Sequence, residues 1–178
     1  RGSQDNVLSR FYHCAVKFNA DVIVRVTADD PLKDPVIISQ AIDLFLEDSE
    51  LDYVSNTIKP MYPEGIDIEV FSLKALSQAY KLAEKASDRE HVTPYIWRHP
   101  NDFCLLNFEA VEDFSNLRIT LDYQEDLQLI SRVITHFKEQ PLVGYQDIVT
   151  FLKCHPEIAK MNAKILRNEG YIQSLTKE

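Results

Sequence analysis

The feature that most constrains the fold is the stretch Asp21–Leu32, with the sequence D-V-I-V-R-V-T-A-D-D-P-L. A short run of β-branched apolar residues bounded by polar ones is typical of a strand buried on both faces of a parallel sheet. Two adjacent carboxylates, Asp29 and Asp30, follow the run. Ligands of open α/β sheets bind beyond the carboxyl ends of the strands, where carboxylates suit a hard divalent cation. The pattern leaves two interpretations open, a metal-binding strand end or acids that merely cap a turn.

Composition limits the classes of protein to which the chain can belong. With 178 residues, 45% hydrophobic and 26% charged, it fits one soluble globular domain. A net charge of −9 argues against a nucleic-acid partner, which would need a basic surface. No apolar stretch approaches the roughly 20 residues of a membrane span, so no membrane partner is expected. Three widely spaced cysteines, Cys14, Cys104 and Cys154, indicate buried or inert thiols and predict a cytoplasmic location.

Helical and strand patterns alternate along the chain, which predicts an α/β fold with a mostly parallel sheet. Helix starts are indicated at Asp34-Pro35 and at Ser72. We predict strands near 22–26, 51–57, 65–71, 103–108 and 117–121. Residues 1–142 are expected to form the α/β domain, and residues 143–178 a carboxyl-terminal helical arm or dimer element.

The strand predicted at 65–71 has one apolar and one acidic face. Ile66, Ile68 and Val70 alternate with Asp67 and Glu69, the period of two that a half-buried strand shows. An acidic face is usually solvated. The alternative is that Asp67 and Glu69 face a polar ligand such as a sugar.

Two other acidic positions have the spacing of a helix capping box, Ser87 with Glu90 and Asp122 with Glu125. Asp122 also follows the predicted strand 117–121, so it can cap the next helix and still offer an oxygen to a metal. His91 follows Glu90, and a lone histidine of this kind is more often structural than catalytic. The chain carries no glycine-rich nucleotide loop, no nucleophile elbow and no zinc-type spacing.

Several segments resemble, in order and over nearly the whole chain, a known family. These segments lie at 1–10, 24–32, 53–57, 64–71, 90–95 and 121–127. They resemble the cytidylyltransferase family of the spore coat polysaccharide biosynthesis protein SpsF, which is related to the CMP-sugar synthetases of KDO, sialic acid and pseudaminic acid. The resemblance implies a Rossmann-like sheet of the nucleotide-diphospho-sugar transferase type. It also implies the reaction of CTP with a sugar to give CMP-sugar and pyrophosphate, for surface or spore polysaccharide biosynthesis.

The resemblance also assigns roles to residues. Asp29 and Asp122 match the acids that hold Mg²⁺ on the triphosphate, whereas Ala28 and Asp30 depart from the residues usual in the family. Mg²⁺ is therefore the expected cofactor, CTP and a sugar are the expected partners, and a homodimer is the expected assembly. Arg10 and Thr27 are placed on the nucleotide side. Six residues are placed on the sugar side, with no general base assigned among them: Glu64, Asp67, Glu69, Arg89, Glu90 and His91.

Family members begin with a strand and a glycine- and basic-rich loop that grips CTP. The resemblance therefore implies a sheet truncated at its amino-terminal end here, and a chain whose activity on its own is an open question. Two alternatives to a cytidylyltransferase remain. One is a non-catalytic relative that serves as a binding or assembly module. The other is a metal-dependent glycosyltransferase of similar fold, although Asp29-Asp30 lacks the Asp-x-Asp spacing usual in such enzymes.

Overall fold

The computed structural model of the chain describes residues 2–140, 142–176 and 178. Arg1, which opens the first family-like segment, and Pro141, beside the predicted domain boundary, lie outside this description. The described elements follow one another as α1 (Val7–Phe18), β1 (Val22–Arg25), α2 (Pro35–Glu47), β2 (Tyr53–Ser55), β3 (Glu69–Ser72), α3 (Leu73–Leu82), α4 (Ala86–His91), α5 (Pro94–Trp97), β4 (Leu105–Asn107), α6 (Gln124–His136), α7 (Tyr145–Cys154), α8 (Pro156–Ala159) and α9 (Glu169–Leu175). The helix starts predicted at Asp34-Pro35 and Ser72 are confirmed, since Asp34 and Ser72 cap α2 and α3.

The four strands form an open sheet in the order β1-β3-β2-β4. β3 runs antiparallel to both of its neighbours, and β2 and β4 are parallel. The predicted α/β class with a Rossmann-like open sheet is confirmed. The expectation of a mostly parallel sheet holds for strand direction, because β1, β2 and β4 point the same way. It does not hold for the pairing, because β3 is inserted in the opposite direction and makes two of the three ladders antiparallel.

Helices cover both faces of the sheet. Val54 and Val70 point into a core that α2, α6 and α7 close, whereas Tyr53 and Phe71 point into a second core closed by α1, α3 and α5. Side chains alternate between the faces because strand residues point up and down in turn. The helices after residue 142 add Ile148 and Leu152 to the first core. The domain boundary at 142 and the homodimer remain predictions.

Three of the predicted strands differ from the structure. β1 is an outer strand of the described sheet, so its residues are half-buried rather than enclosed on both faces. The ladder of β3 begins only at Glu69, because the side chain of Asn56 bonds the backbone of Ile66 and Ile68 in place of a neighbouring strand. Residues 117–121 make a single bridge, Glu64 to Arg118, and their backbone otherwise bonds loops. That segment is extended but is not a strand of the sheet.

Two expectations from composition concern the surface of the protein. Among the described residues no helix combines the length and apolarity that a bilayer crossing requires. The expectation of buried thiols is wrong, since all three cysteines are exposed and free. They lie on helices or loops outside the two cores.

Gly65 is the one glycine that the fold requires for its backbone. Its φ is +109°, and a Cβ at this position would lie 2.8 Å from the backbone carbon of Ile119. We expect Gly65→Ala to cost about 2 kcal/mol or more in unfolding free energy, because it combines backbone strain with a clash. Urea denaturation measures this. Gly170→Ala is the matched control, since a Cβ there meets nothing within 4 Å. Equal stability of the two variants would contradict the account of this turn.

Candidate functional site

The site lies at the sheet edge where β1 and β2 end and β3 begins. The register places Arg25, Glu69 and Ser55 side by side at this edge. A cavity of about 660 Å³ opens above it. That volume is typical of small-molecule sites, which also favour the carboxyl ends of α/β strands.

The cavity brings together seven of the ten residues predicted from the sequence. Its lining includes Thr27, Asp29, Glu64, Asp67, Glu69, His91 and Asp122. The other three lie outside the lining. Arg10 is exposed on α1, Arg89 is half-buried on α4, and Glu90 is an exposed residue of α4 that bonds Ser174. The role of each residue remains a prediction.

Glu69 is fixed by three partners rather than solvated. Its carboxylate pairs with Arg25 and accepts hydrogen bonds from the Tyr53 hydroxyl, at 2.6 Å, and from the Thr93 hydroxyl. Burial and the neighbouring Glu69 carboxylate raise the pKa of Tyr53, so this phenol stays protonated and donates. Glu69 therefore holds the floor of the cavity in one geometry.

A buried arginine that the sequence analysis missed organises the acidic wall of the cavity. Arg118 is 6% exposed and donates to Glu64 at 2.8 Å, to Asp122 at 2.6 Å and to Asp126 at 3.0 Å. Asn162 completes the cluster by donating to Asp126 at 2.7 Å. The sequence does hold a signal for this residue, because Arg118 lies between the apolar residues Leu117 and Ile119 of a predicted strand. An arginine that is buried is almost always paired with acids, so its position predicts carboxylate partners.

Both predicted capping boxes are wrong. The N-cap of α6 is Tyr123, and Asp126 rather than Glu125 accepts the backbone N–H groups of Asp122 and Tyr123, both at 3.0 Å. Burial opposes its charge, but the bonds from Arg118 and Asn162 outweigh burial and lower the pKa of Asp126. α4 begins one residue before Ser87, after Lys85, so the Ser87–Glu90 spacing does not fall at its start. Asp122 is thereby left to face the cavity.

The segments that carry the two predicted metal ligands are joined at the cavity rim. The carbonyl oxygen of Asp29 accepts the N–H of Leu121 at 2.8 Å, which ties the end of the first strand to the segment that carries Asp122. Asp29 is exposed, and the side chain of Asp122 is 46% exposed. The carboxylate of Asp30, in contrast, is engaged by neighbouring side chains. Burial opposes its charge, but Lys33 at 2.8 Å and the Thr27 hydroxyl at 2.6 Å outweigh burial and lower its pKa.

The donor set at the rim fits Mg²⁺ held jointly with a phosphate. Over the described ranges, no three or more acidic, histidine or cysteine side chains are grouped as a metal cage. Mg²⁺ commonly takes one or two carboxylates and completes its octahedron with substrate phosphates and water. Asp29 and Asp122 are suited to that arrangement.

Among the acids that line the cavity, Asp67 has the pKa that departs furthest from its usual value. Burial raises its pKa to about 6, against the opposing attraction of Arg167 and Lys33. Arg167 forms an ion pair with the Asp67 carboxylate, and Lys33 donates to the Asp67 carbonyl. The charge of this wall therefore changes around pH 6.

Asp67→Asn is expected to change how stability depends on pH. Because the pKa of Asp67 is higher in the folded than in the unfolded chain, ionising it costs folding free energy, and stability falls as pH rises from about 4 to 6. Relative to wild type, Asp67→Asn should gain about 2 kcal/mol between pH 4 and pH 7, once partial contact with water is allowed for. Urea denaturation of both proteins at the two pH values measures this. A constant difference would contradict the raised pKa.

Another part of the cavity wall is aromatic. The ring of Tyr171 packs edge-on against His91, with centroids 5.2 Å apart, and against Trp97, at 5.8 Å. All three residues line the cavity. Sequence analysis missed Trp97 and Tyr171, since nothing in the local pattern distinguishes a cavity aromatic from a core one.

The chain is similar to known proteins over most of its length. A family model described as cytidylyltransferase matches residues 1–162. An uncharacterized protein of Methanocaldococcus jannaschii is 35% identical over 173 residues, 96% of this chain and 69% of that protein. The spore coat polysaccharide biosynthesis protein SpsF of Bacillus subtilis is 32% identical over 163 residues, 89% of this chain and 66% of that protein.

A solved structure is similar as well. The structure of a cytidylyltransferase from Leptospira borgpetersenii superposes with a TM-score of 0.84 at 31% identity, over 90% of this chain and 67% of that one. The chain thus spans about two thirds of the length of these relatives.

Proposed function

Because the chain belongs to the cytidylyltransferase family, we propose that its cavity transfers a cytidylyl group from CTP to a sugar. The oxygen of a sugar hydroxyl attacks the α-phosphorus of CTP and forms a new P–O bond. The bond between the α-phosphorus and the β-phosphate oxygen breaks, pyrophosphate leaves, and the hydroxyl proton passes to solvent or to a base that is not assigned. The products are CMP-sugar and pyrophosphate.

The observation that carries this proposal is the pairing of the family match with the positions of Asp29 and Asp122. Both acids line one cavity, at a strand-end edge where nucleotide ligands of α/β folds bind. A sugar acceptor used in polysaccharide biosynthesis is supported by the similarity to SpsF of Bacillus subtilis.

Asp29 and Asp122 would hold Mg²⁺, which when bound neutralises the charge that develops on the leaving pyrophosphate. Arg118 orients one oxygen of Asp122 by a 2.6 Å bond and leaves the carboxylate partly exposed. The bond from Leu121 N–H to the Asp29 carbonyl keeps the two acids at the same rim. These contacts preorganise the rim, and preorganisation is the main contribution of a protein to nucleotidyl transfer.

Glu64 acts on the sugar side as a positioning residue. One of its oxygens accepts from Arg118 at 2.8 Å and the other accepts the backbone N–H of Asn168 at 2.8 Å. With both oxygens engaged, Glu64 joins the acidic wall to the carboxyl-terminal segment that closes the cavity. Thr27 is proposed on the nucleotide side, where its hydroxyl holds Asp30 away from the metal position.

Calorimetric titration tests the nucleotide half of the proposal. Mg²⁺ and CTP together should bind this chain with one site, and CTP without Mg²⁺ should bind more weakly. Titration with ATP under the same conditions serves as the nucleotide control. A chain shown to be folded that binds neither form of CTP would contradict the proposal and would favour a non-catalytic binding or assembly module.

A further inference from the structure

One wall of the cavity is built by a segment that the family model does not match. The match ends at residue 162, whereas Asn168, Glu169, Gly170 and Tyr171 line the cavity. We call Arg167–Leu175, which contains α9, the carboxyl-terminal wall.

The carboxyl-terminal wall is fastened on both sides of the cavity. On the acidic side, Arg167 pairs with Asp67 and Asn168 N–H donates to Glu64. At the rim, the Tyr123 hydroxyl donates to Glu169 at 2.8 Å.

On the aromatic side, the Ser174 hydroxyl lies 3.0 Å from the ring nitrogen Nε2 of His91 and 2.9 Å from Glu90. These contacts hold the Tyr171 ring against Trp97 and His91. The position of Tyr171 is therefore set by contacts at both ends of the wall.

The cavity consequently has two chemically different ends. Asp29 and Asp122 lie where phosphates and metal are proposed, whereas Glu69 lies on the floor of the cavity and Glu64 on the proposed sugar side. Both arginines that line the cavity are already paired, Arg25 with Glu69 and Arg118 with three carboxylates. At the other end, aromatic rings offer a surface for polarised C–H groups, such as the apolar face of a pyranose ring.

Building on the function proposed above, we propose that Tyr171 and Trp97 form the sugar-specificity surface and pack against the apolar face of the sugar ring. Recognition at this end then depends on ring contact more than on a charge of the sugar. Tyr171 is a specificity-determining residue that touches substrate, and Arg167 and Ser174 are positioning residues that hold it in place.

Trp97 is the single tryptophan of the chain, so its fluorescence reports directly on this surface. The test titrates the chain with CMP, CMP-N-acetylneuraminate and CMP-KDO and records Trp97 emission, with affinities measured in parallel by calorimetry. We expect at least one sugar nucleotide to bind more tightly than CMP and to change Trp97 emission beyond the change that CMP causes.

Three variants separate the ring contact from other effects. Tyr171→Ala should lower the affinity for that sugar nucleotide about tenfold and leave the affinity for CMP within a factor of two. Tyr171→Phe keeps the ring and should retain the wild-type ratio of the two affinities. Ile172→Ala, a half-exposed neighbour on the same helix, should also retain it.

Two results would overturn the inference. One is a Tyr171→Ala variant that keeps the wild-type ratio of sugar-nucleotide to CMP affinity. The other is that neither sugar nucleotide binds wild type more tightly than CMP. In both cases the function proposed above is judged separately by the binding of CTP with Mg²⁺, which does not involve the sugar end of the cavity.

Discussion

Replacing Asp29 by Asn is expected to raise the Mg²⁺ concentration needed for CTP binding at least a hundredfold. An amide is a neutral and weaker ligand for a hard cation, and even residues behind a metal ligand change metal affinity about 10- to 100-fold. Asp122→Asn should have a similar effect, and it also leaves one Arg118 donor without its carboxylate. Calorimetric titration of Mg²⁺ into protein with CTP measures the change.

The matched control for these variants is Asp43→Asn, an exposed aspartate on α2 away from the cavity. It should bind Mg²⁺ and CTP as wild type does. The weak affinity for CTP without Mg²⁺ should not fall in any of the four proteins, because without the metal a carboxylate repels the triphosphate. Loss of that metal-free affinity, rather than of the Mg²⁺ response, would contradict the assignment of Asp29 and Asp122 as metal ligands.

Replacing Arg118 by Met is expected to have the largest effect on stability. The change leaves Glu64 and Asp126 as buried carboxylates without their cation, and removing one partner of a buried ion pair typically costs about 3–5 kcal/mol. For a chain of this size such a loss lowers Tm by roughly 10 °C or more. Thermal unfolding followed by circular dichroism measures it.

Arg132→Met provides the comparison, because Arg132 is an exposed arginine on α6. Its Tm should stay within about 2 °C of wild type. Lowering the pH below about 4 should reduce the difference between Arg118→Met and wild type, since protonated carboxyls no longer need the cation. A Tm of Arg118→Met equal to that of Arg132→Met would show that the buried cluster contributes no net stability.

Local patterns in the sequence were sufficient for the starts of α2 and α3 and for the strand that ends shortly before Asp29. Asp34 and Ser72 cap helices as their residue types favour, and the alternation of Ile66, Ile68 and Val70 places all three in the interior. These features depend on neighbours within a few residues. Most of the residues that the family resemblance assigned to the site line one cavity. Their local sequence patterns alone left the assignment open.

Features set by distant contacts could not be predicted. The segment 117–121 alternates as a strand does, but its backbone bonds Glu64 and Asp29 instead of the sheet. The Asp122–Glu125 spacing suggests a cap, but Asp126 takes that role because Arg118 and Asn162 hold its carboxylate at the helix start. Tyr171 reaches the cavity through contacts that its helix and the residues before it make with distant parts of the chain, among them Glu64, His91 and Tyr123.

Pyrophosphate release is the most direct test of the proposed cytidylyl transfer. This chain would be incubated with CTP, Mg²⁺ and a panel of sugars that includes KDO and N-acetylneuraminate, and the products followed by phosphorus NMR. The account predicts that pyrophosphate and a CMP-sugar phosphodiester appear together, only when CTP, Mg²⁺ and a sugar are all present, and not with Asp29→Asn. Pyrophosphate release that does not depend on a sugar, or none at all from folded protein that binds CTP, would contradict it.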